Sequence, residues 1–375
     1  MNTKPYQICT RCVMDTTDPE IVFDDNGYCN HCISAIERLK QPPYGLPPAE
    51  KENALNELIK QVKESGKGKK YDCVIGLSGG VDSSYLAYLI RKWGLRPIAV
   101  HWDNHWNSLA AEQNVSNICK NLGFEEKRVV VNWEEFKDLQ LAFLKASTPD
   151  SEIPSDNVIF ATLYDIAKKH QIKYILSGNN TATESILAKS WSQGHRDATY
   201  IKAIHKRFGK IKKLTFHIYS WLDAIVNRKF HDIKCINTLD YVDYDKESAK
   251  ELIKKELGWQ DYGRKHGEST YTRIFQEYIL PVKFGFDKRK AHFSSLIVAG
   301  QMTREEAIKK LSEPLYIDEQ SKQRDIEVLC NKFGITKSDF EKIMSLPPKS
   351  YNDYPNDKKA FQYKLLNFIK HLLRK

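Results

Sequence analysis

Between Tyr71 and Gly178, short aliphatic runs alternate with longer segments in which apolar residues return every three or four positions. "CVIGL" (73–77), "RPIAVHW" (96–102), "RVVVNW" (128–133) and "KYILSG" (173–178) have the length and β-branched content of buried strands. Leu86, Leu89, Ile90 and Trp93 share a helical face that Gly94 ends, and Val115, Ile118, Cys119 and Leu122 repeat the pattern before Gly123. A further helix is expected over 158–170. Strands alternating with helices predict an α/β fold with a parallel sheet and ligands beyond the carboxyl ends of the strands. From about residue 185 the pattern turns mainly helical, with capping-box pairs at Thr303/Glu306 and Thr336/Asp339. There is no internal repeat and no low-complexity tract.

The first 40 residues carry a different signal. Cys9-x2-Cys12, sixteen residues, then Cys29-x2-Cys32 is the spacing of four thiolates around a tetrahedral structural zinc. "IVFDDNGYC" between the pairs reads as a hairpin with an Asn-Gly turn, so a small zinc ribbon is expected. Iron is the competing metal, and His31 is an alternative ligand. Cys73, Cys119, Cys235 and Cys330 are scattered, the first two on apolar faces that suit a core. Four prolines within "QPPYGLPPAE" (41–50) mark a connector. The expected organisation is a cysteine head (1–40), a linker and helix (41–70), an α/β domain (71–185) and a mainly helical substrate-binding region (186–375).

Composition narrows the partners. A chain of 375 residues with 41% hydrophobic content buries at least one sizeable core. No run of about 18 apolar residues occurs, and "MNTKPYQICTRC" has neither the basic nor the apolar stretch of a signal peptide, so the reading is cytoplasmic, without a membrane. The net charge of +10 favours a polyanionic partner: nucleic acid, nucleotide or phosphorylated small molecule. Much of the excess lies in 202–213, 227–234 and 283–290.

The chemistry centres on "SGGVDSS": Ser78, Gly79, Gly80, Val81, Asp82, Ser83 and Ser84, after a strand and opening a helix. Neither the Walker lysine nor G-x-G-x-x-G is present. Glycines let successive N–H groups converge on an oxyanion, serines add donors, and the helix N-terminus adds partial positive charge. A carboxylate among those donors would repel a bare phosphate, so Asp82 is expected to hold Mg²⁺ or the loop's own amides.

This loop resembles that of the PP-loop ATP pyrophosphatases, whose adenine nucleotide alpha hydrolase-like core cleaves ATP between the α and β phosphates. The resemblance implies nucleotide contacts at "VHWDN", with His101 and Asp103, and at "LSGNN", with Ser177, Gly178 and Asn179. Asn179 stands where glutamate is commoner. The head, "HWDN" and the stretch 258–311 together look like the N-acetyl sugar amidotransferases related to WbpG and the pseudaminic-acid amidotransferase. That resemblance implies ATP, Mg²⁺ and structural Zn²⁺, an acetamido sugar or nucleotide-sugar substrate, and conversion of its acetamido group to an acetamidino group through an adenylated imidate. Catalytic roles are then expected for Asp82, Glu268, Lys283, Arg289 and His292, and substrate contacts for Lys265, His266, Thr272, Arg273 and Lys288. Ammonia is expected from separate glutaminase and cyclase-like subunits similar to imidazole-glycerol-phosphate synthase, since residue 2 is Asn and no glutaminase module is evident. Two rivals stand: a PP-loop tRNA-thiolation enzyme, and a non-catalytic nucleic-acid-binding module, which would leave the loop unexplained.

Overall fold

Five parallel strands pair in the order β3-β2-β1-β4-β5, with β1 at Cys73–Gly76, β2 at Pro97–Asp103, β3 at Glu125–Val130, β4 at Tyr174–Ser177 and β5 at Lys234–Asn237. The structure, a computed structural model, describes residues 5–262 and 269–359. The chain builds outward from β1 through β2 to β3, then returns to lay β4 on the other side of β1. The order therefore reverses between β1 and β4, and at such a point the loops leaving the strand ends diverge and open a crevice.

Alternation of side chains across the pleat gives the sheet two covered faces. Cys73, Ile75, Ala99 and Leu176 pack with Leu58 and Val62 of α2 (Pro48–Ser65; α1 is Asn30–Leu39), and with Leu86 and Ile90 of α3 (Val81–Lys92). Val115 and Ile118 of α4 (Leu109–Leu122) join the same face. Val74, Ile98, Val100 and Ile175 face the other way, onto Ala161, Tyr164 and Ala167 of α6 (Ile153–Lys169), which follows α5 (Trp133–Ala146). Both cysteines expected in the core are there, Cys73 fully buried and Cys119 nearly so.

Two strands depart from the sequence reading. The third runs over 125–130 rather than 128–133, because charged Glu125 to Arg128 pair with Ile98 to His101 at an exposed sheet edge, while Asn132 caps α5. The fifth, "KCIN", lies beyond residue 185, so the sheet takes a strand from the region read as helical. That region otherwise supplies α7 (Thr181–Glu184), α8 (Ala198–Phe208), α9 (Trp221–Lys229), α10 (Lys246–Leu257) and α11 (Thr270–Ile274), which continues into a π-helical stretch, Phe275–Phe284. Then come α12 (Arg289–Val298), α13 (Arg304–Ser312), α14 (Glu319–Phe333) and α15 (Lys337–Ser345), with the capping boxes of α13 and α15 both formed.

The cysteine head is not the hairpin its sequence suggests. It has single antiparallel bridges, Ile8 with Asp15 and Phe23 with Cys29. The Asp24 carboxylate takes the amides of Asn26 and Tyr28 at 3.0 and 2.8 Å and tightens the turn, and α1 rather than a strand delivers the second cysteine pair. Nor does the head hang free on its proline connector. Its cysteines share one hydrophobic cluster with Trp106, Phe275, Phe333 and Phe340. The Val13 amide donates to Ser294 of α12 at 3.1 Å, and Arg304 of α13 donates to the carbonyls of Cys9 and Cys12 at 3.0 to 3.2 Å. Asp15, wholly buried, accepts from Tyr6 at 2.9 Å and pairs with Lys290.

Removing one partner of that pair strands a charge. Asp15→Ala is expected to lower unfolding free energy by about 3 kcal/mol, measured by urea denaturation, with Lys290→Met in the Asp15→Ala background recovering part of the loss.

Candidate functional site

The Ser78 loop leaves β1 at the point of reversal. Gly79 has φ +82, and a Cβ there would lie 2.6 Å from the Ala111 carbonyl oxygen, so only glycine fits. Its own carbonyl points inward, accepting from Trp259 Nε1 at 2.7 Å. In a planar trans peptide the following N–H then points the opposite way, and Gly80 N–H indeed donates to Ser78 Oγ at 3.2 Å. Ser78 Oγ and Ser83 Oγ lie 3.1 Å apart. No side chain caps α3 at Gly80, which leaves first-turn N–H groups for an oxyanion. Asn114 of α4 exchanges bonds of 2.9 and 2.7 Å with the Gln260 backbone and also reaches the Gly79 carbonyl of the loop, at 3.5 Å. Val81 is half-buried against the α3 core, and Ser84 is wholly buried, its Oγ without a hydrogen-bond partner among the described residues.

The loop after β4 closes on the same place. A Cβ at Gly178 would lie 3.1 Å from both Asp82 C and Ser83 N, so the backbone of one loop rests on the first helical turn of the other. Ser177 Oγ accepts the Asn179 amide at 3.2 Å, and Asn180 caps α7. Asn179 is exposed. The Asp82 carboxylate accepts from the hydroxyl of buried Tyr244, not from loop amides. Asp240 nearby binds Thr181 N–H and Oγ at 2.6 and 2.9 Å. Burial raises the Asp240 carboxyl above its ordinary range despite those bonds.

At the end of β2, His101 is buried with Nδ1 bonded to the Leu77 carbonyl at 3.0 Å and Nε2 facing the Asn107 amide at 3.3 Å. Those partners fix the Nδ1–H tautomer, and the ring braces the root of the Ser78 loop. Asp103 is 4% exposed and takes Arg128 at 2.5 and 3.1 Å and the His105 amide at 2.8 Å. Burial opposes its ionisation, yet Arg128 and His105 hold its carboxyl below the usual value.

The C-terminal candidates divide. His292 reaches the Thr183 carbonyl at 3.3 Å, on α7 directly after the Gly178 loop. Lys288 lies 3.6 Å from Glu152. Arg289 instead donates to the carbonyls of Lys310, Leu311 and Glu313 and to Asp287, closing the end of α13. Arg273 holds Asp325 of α14 through two bonds of 2.6 and 2.7 Å. Thr272 lies in the first turn of α11, its amide capped by Ser269 at 3.2 Å. Lys283 donates to the Ile343 carbonyl in a small cavity lined by Leu144, Phe275 and Met344, and burial pulls its ammonium down to about 8. Lys265, His266 and Glu268 lie outside the described residues. Sequence reasoning missed Tyr244, Asn114 and Trp259, which lie far from the loop in sequence and belong to no motif.

The four head sulfurs lie within 4.8 Å of one another, with Cys9–Cys32 at 3.8 Å and Cys12–Cys29 at 3.5 Å. A tetrahedron of ~2.3 Å metal–sulfur bonds has edges of about 3.8 Å, so the donor set fits one ion and leaves no open position. Backbone N–H groups of Cys12, Cys29 and Cys32 point at the sulfurs at 3.2 to 3.4 Å, offsetting thiolate charge.

Two family models match the chain: NAD synthase over residues 51–214, and LPS biosynthesis protein WbpG-like, C-terminal domain, over residues 268–370. Both agree with the resemblance drawn from the motifs. The chain is 24% identical over 302 residues to tRNA-specific 2-thiouridylase MnmA 2 of Fusobacterium nucleatum, covering 73% of this chain and 82% of that protein. It is 28% identical over 189 residues to the MnmA of Mesomycoplasma hyopneumoniae, covering 44% of this chain and 50% of that protein. Among solved structures, the NH3-dependent NAD synthetase from Campylobacter jejuni is 18% identical, covering 56% of this chain and 93% of that one, with a TM-score of 0.29.

Gly178→Ala is the direct probe of the loop contact. Overpacking of about 1–3 kcal/mol would displace the first turn of α3, and ATP affinity measured by calorimetry is expected to fall roughly ten- to hundredfold, with the thermal midpoint lowered by a few degrees.

Proposed function

The chain joins a PP-loop α/β core to a WbpG-like C-terminal domain, and from that pairing we propose an ATP-dependent amidotransferase that converts the acetamido group of a bacterial surface-polysaccharide sugar to an acetamidino group. The observation carrying this reading is the contact of the Ser78 and Gly178 loops at the β1/β4 reversal, in a chain whose C-terminal match is to a polysaccharide-biosynthesis domain.

In this mechanism the acetamido oxygen attacks the α-phosphorus of ATP, the bridging α–β P–O bond breaks, and pyrophosphate leaves. Ammonia adds to the imidate carbon, the C–O bond to AMP breaks, and a proton is lost. Activation matters because an amide oxygen is a poor leaving group until esterified to AMP. The first-turn amides of α3 and the hydroxyls of Ser78 and Ser83 would hold the departing pyrophosphate. Asp82 and Tyr244 would orient a Mg²⁺ ion that neutralises phosphate charge when bound. His101 keeps the loop root rigid through Leu77, and Ser177, Gly178 and Asn179 flank the nucleotide. His292, beside the Thr183 carbonyl, would face the acceptor.

A second reading, tRNA thiolation, draws support from the 2-thiouridylase relatives. Sulfur transfer wants a cysteine held as thiolate near the nucleotide. Outside the head, burial pushes Cys119 up to about 12 and raises Cys73 and Cys235 as well, which favours the amidotransferase.

With ATP, magnesium, ammonium and a panel of acetamido sugars, the protein is expected to release AMP and pyrophosphate in equal amounts and to exchange O for NH in one sugar, read by mass spectrometry. ADP with orthophosphate would sink the proposal, and stimulation by bulk tRNA alone would select thiolation. Glutamine is expected to replace ammonium only when the proposed separate glutaminase subunit is added. For the head we propose structural zinc: elemental analysis of protein purified without added metal should give about one zinc per chain, and Cys12→Ser should lose both the zinc and thermal stability, whereas iron in its place would correct the metal.

A further inference from the structure

Three polar segments without a shared motif meet over the carboxyl edge of the sheet. α6 leads directly into β4 and so runs against the strands, and its 17 residues, ~25 Å at 1.5 Å each, outreach the four-residue β4. Its first turn and the preceding loop therefore lie on the side of the Ser78 loop. They bring Asp150, Glu152 and Asp156. The segment after α7 brings Ser192 and His195, and the N-terminal end of α12 brings Lys288.

The contacts form one network. His195 Nδ1–H donates to Asp156 at 2.9 Å, Nε2–H donates to Ser192 Oγ at 2.6 Å, and Ser192 donates onward to Asp150, which is nearly fully buried. Glu152 accepts from Gln276 at 2.8 Å and faces Lys288 at 3.6 Å. Trp191 stacks flat on Phe286, ring centres 4.4 Å apart, which locks the segments carrying Ser192 and Lys288 together.

With both nitrogens donating, His195 is an imidazolium. Burial opposes that charge, but the Asp156 hydrogen bond and the charges of Asp150 and Asp156 outweigh it and the opposing Lys288, leaving His195 raised to about 9. Burial opposes Lys288 too, and Glu152, Asp150 and Asp156 keep it charged. The side chains of His195, Lys288 and Asp156 remain 31%, 27% and 47% exposed, so an occupant can reach them. Two cations interleaved with three carboxylates nearly cancel, and alternating donors and acceptors suit vicinal hydroxyls, each of which both gives and takes a bond, better than a bare anion. Lys288 also precedes His292 by four residues of α12, about 6 Å.

Resting on the amidotransferase reading, we propose that this network is the acceptor subsite, gripping the ring hydroxyls of the sugar through His195, Lys288, Asp156 and Ser192. In the ammonium-driven assay, His195→Gln, Asp156→Asn and Lys288→Met are expected to raise acceptor KM about tenfold each, as loss of a charged hydrogen bond does, with ATP affinity unchanged. Wild-type acceptor affinity should hold to about pH 9 and fall above it as the imidazolium deprotonates. Asp156→Asn removes a charge that supports the imidazolium, so its fall should begin at lower pH, which mere misfolding would not produce. Binding of N-acetylneuraminic acid and UDP-N-acetylglucosamine, followed by calorimetry, gives the same comparison without turnover. If the wild type turns over an acetamido sugar while the three variants keep its KM and pH limit, the subsite is wrong and the function stands. If no acetamido sugar elicits AMP from the wild type, the amidotransferase reading fails, and the subsite with it.

Discussion

The site depends on the approach of two backbones. Gly178 lies on the first turn of α3 so closely that a methyl group would sit 3.1 Å from Asp82 and Ser83. Because β1 and β4 are neighbours and parallel, both loops emerge on one edge, and this contact fixes how far apart they open. Gly79 adds the second constraint, turning its carbonyl to Trp259 and the next amide outward. Backbone geometry, more than any one side chain, makes the cradle, which is why its glycines are specific and its serines adjustable.

The cysteine head acts at a distance from this cradle. Asp18 receives Ser190 at 2.6 Å and pairs with His31 at 2.6 Å, so the head holds the segment that leads to Trp191 and His195. Lys290 and Ser294 tie it to α12, the helix that carries Lys288 and His292. An ion drawing the four sulfurs together would therefore stiffen the walls on which the C-terminal region is mounted, without touching a reactant.

What the sequence revealed follows from range. β1, β2 and the Ser78 loop were legible because strand burial and loop chemistry are written in adjacent residues, and the cysteine spacing because two short loops set it. β3 was displaced by three residues because an exposed edge strand needs no apolar run, and β5 was invisible for the same reason. Tyr244 meets Asp82 from 162 positions away, and no local pattern announces such a pair. Arg289 shows the opposite failure: its neighbours look like anion-binding residues, but three carbonyls at the end of α13 claim its guanidinium. Composition ranks candidates, and tertiary partners decide among them.

The two rims of the sheet restrict how other proteins attach. β3 presents Glu125, Glu126, Lys127 and Arg128 to solvent, and at the opposite rim β5 exposes Lys234 and Asn237. A newcomer forming a ladder there would have to strip water from a row of mixed charges before gaining a single main-chain bond. Lateral growth of the sheet, into dimers or fibrils, is thereby discouraged, which shifts the burden of any association to helices and connecting segments.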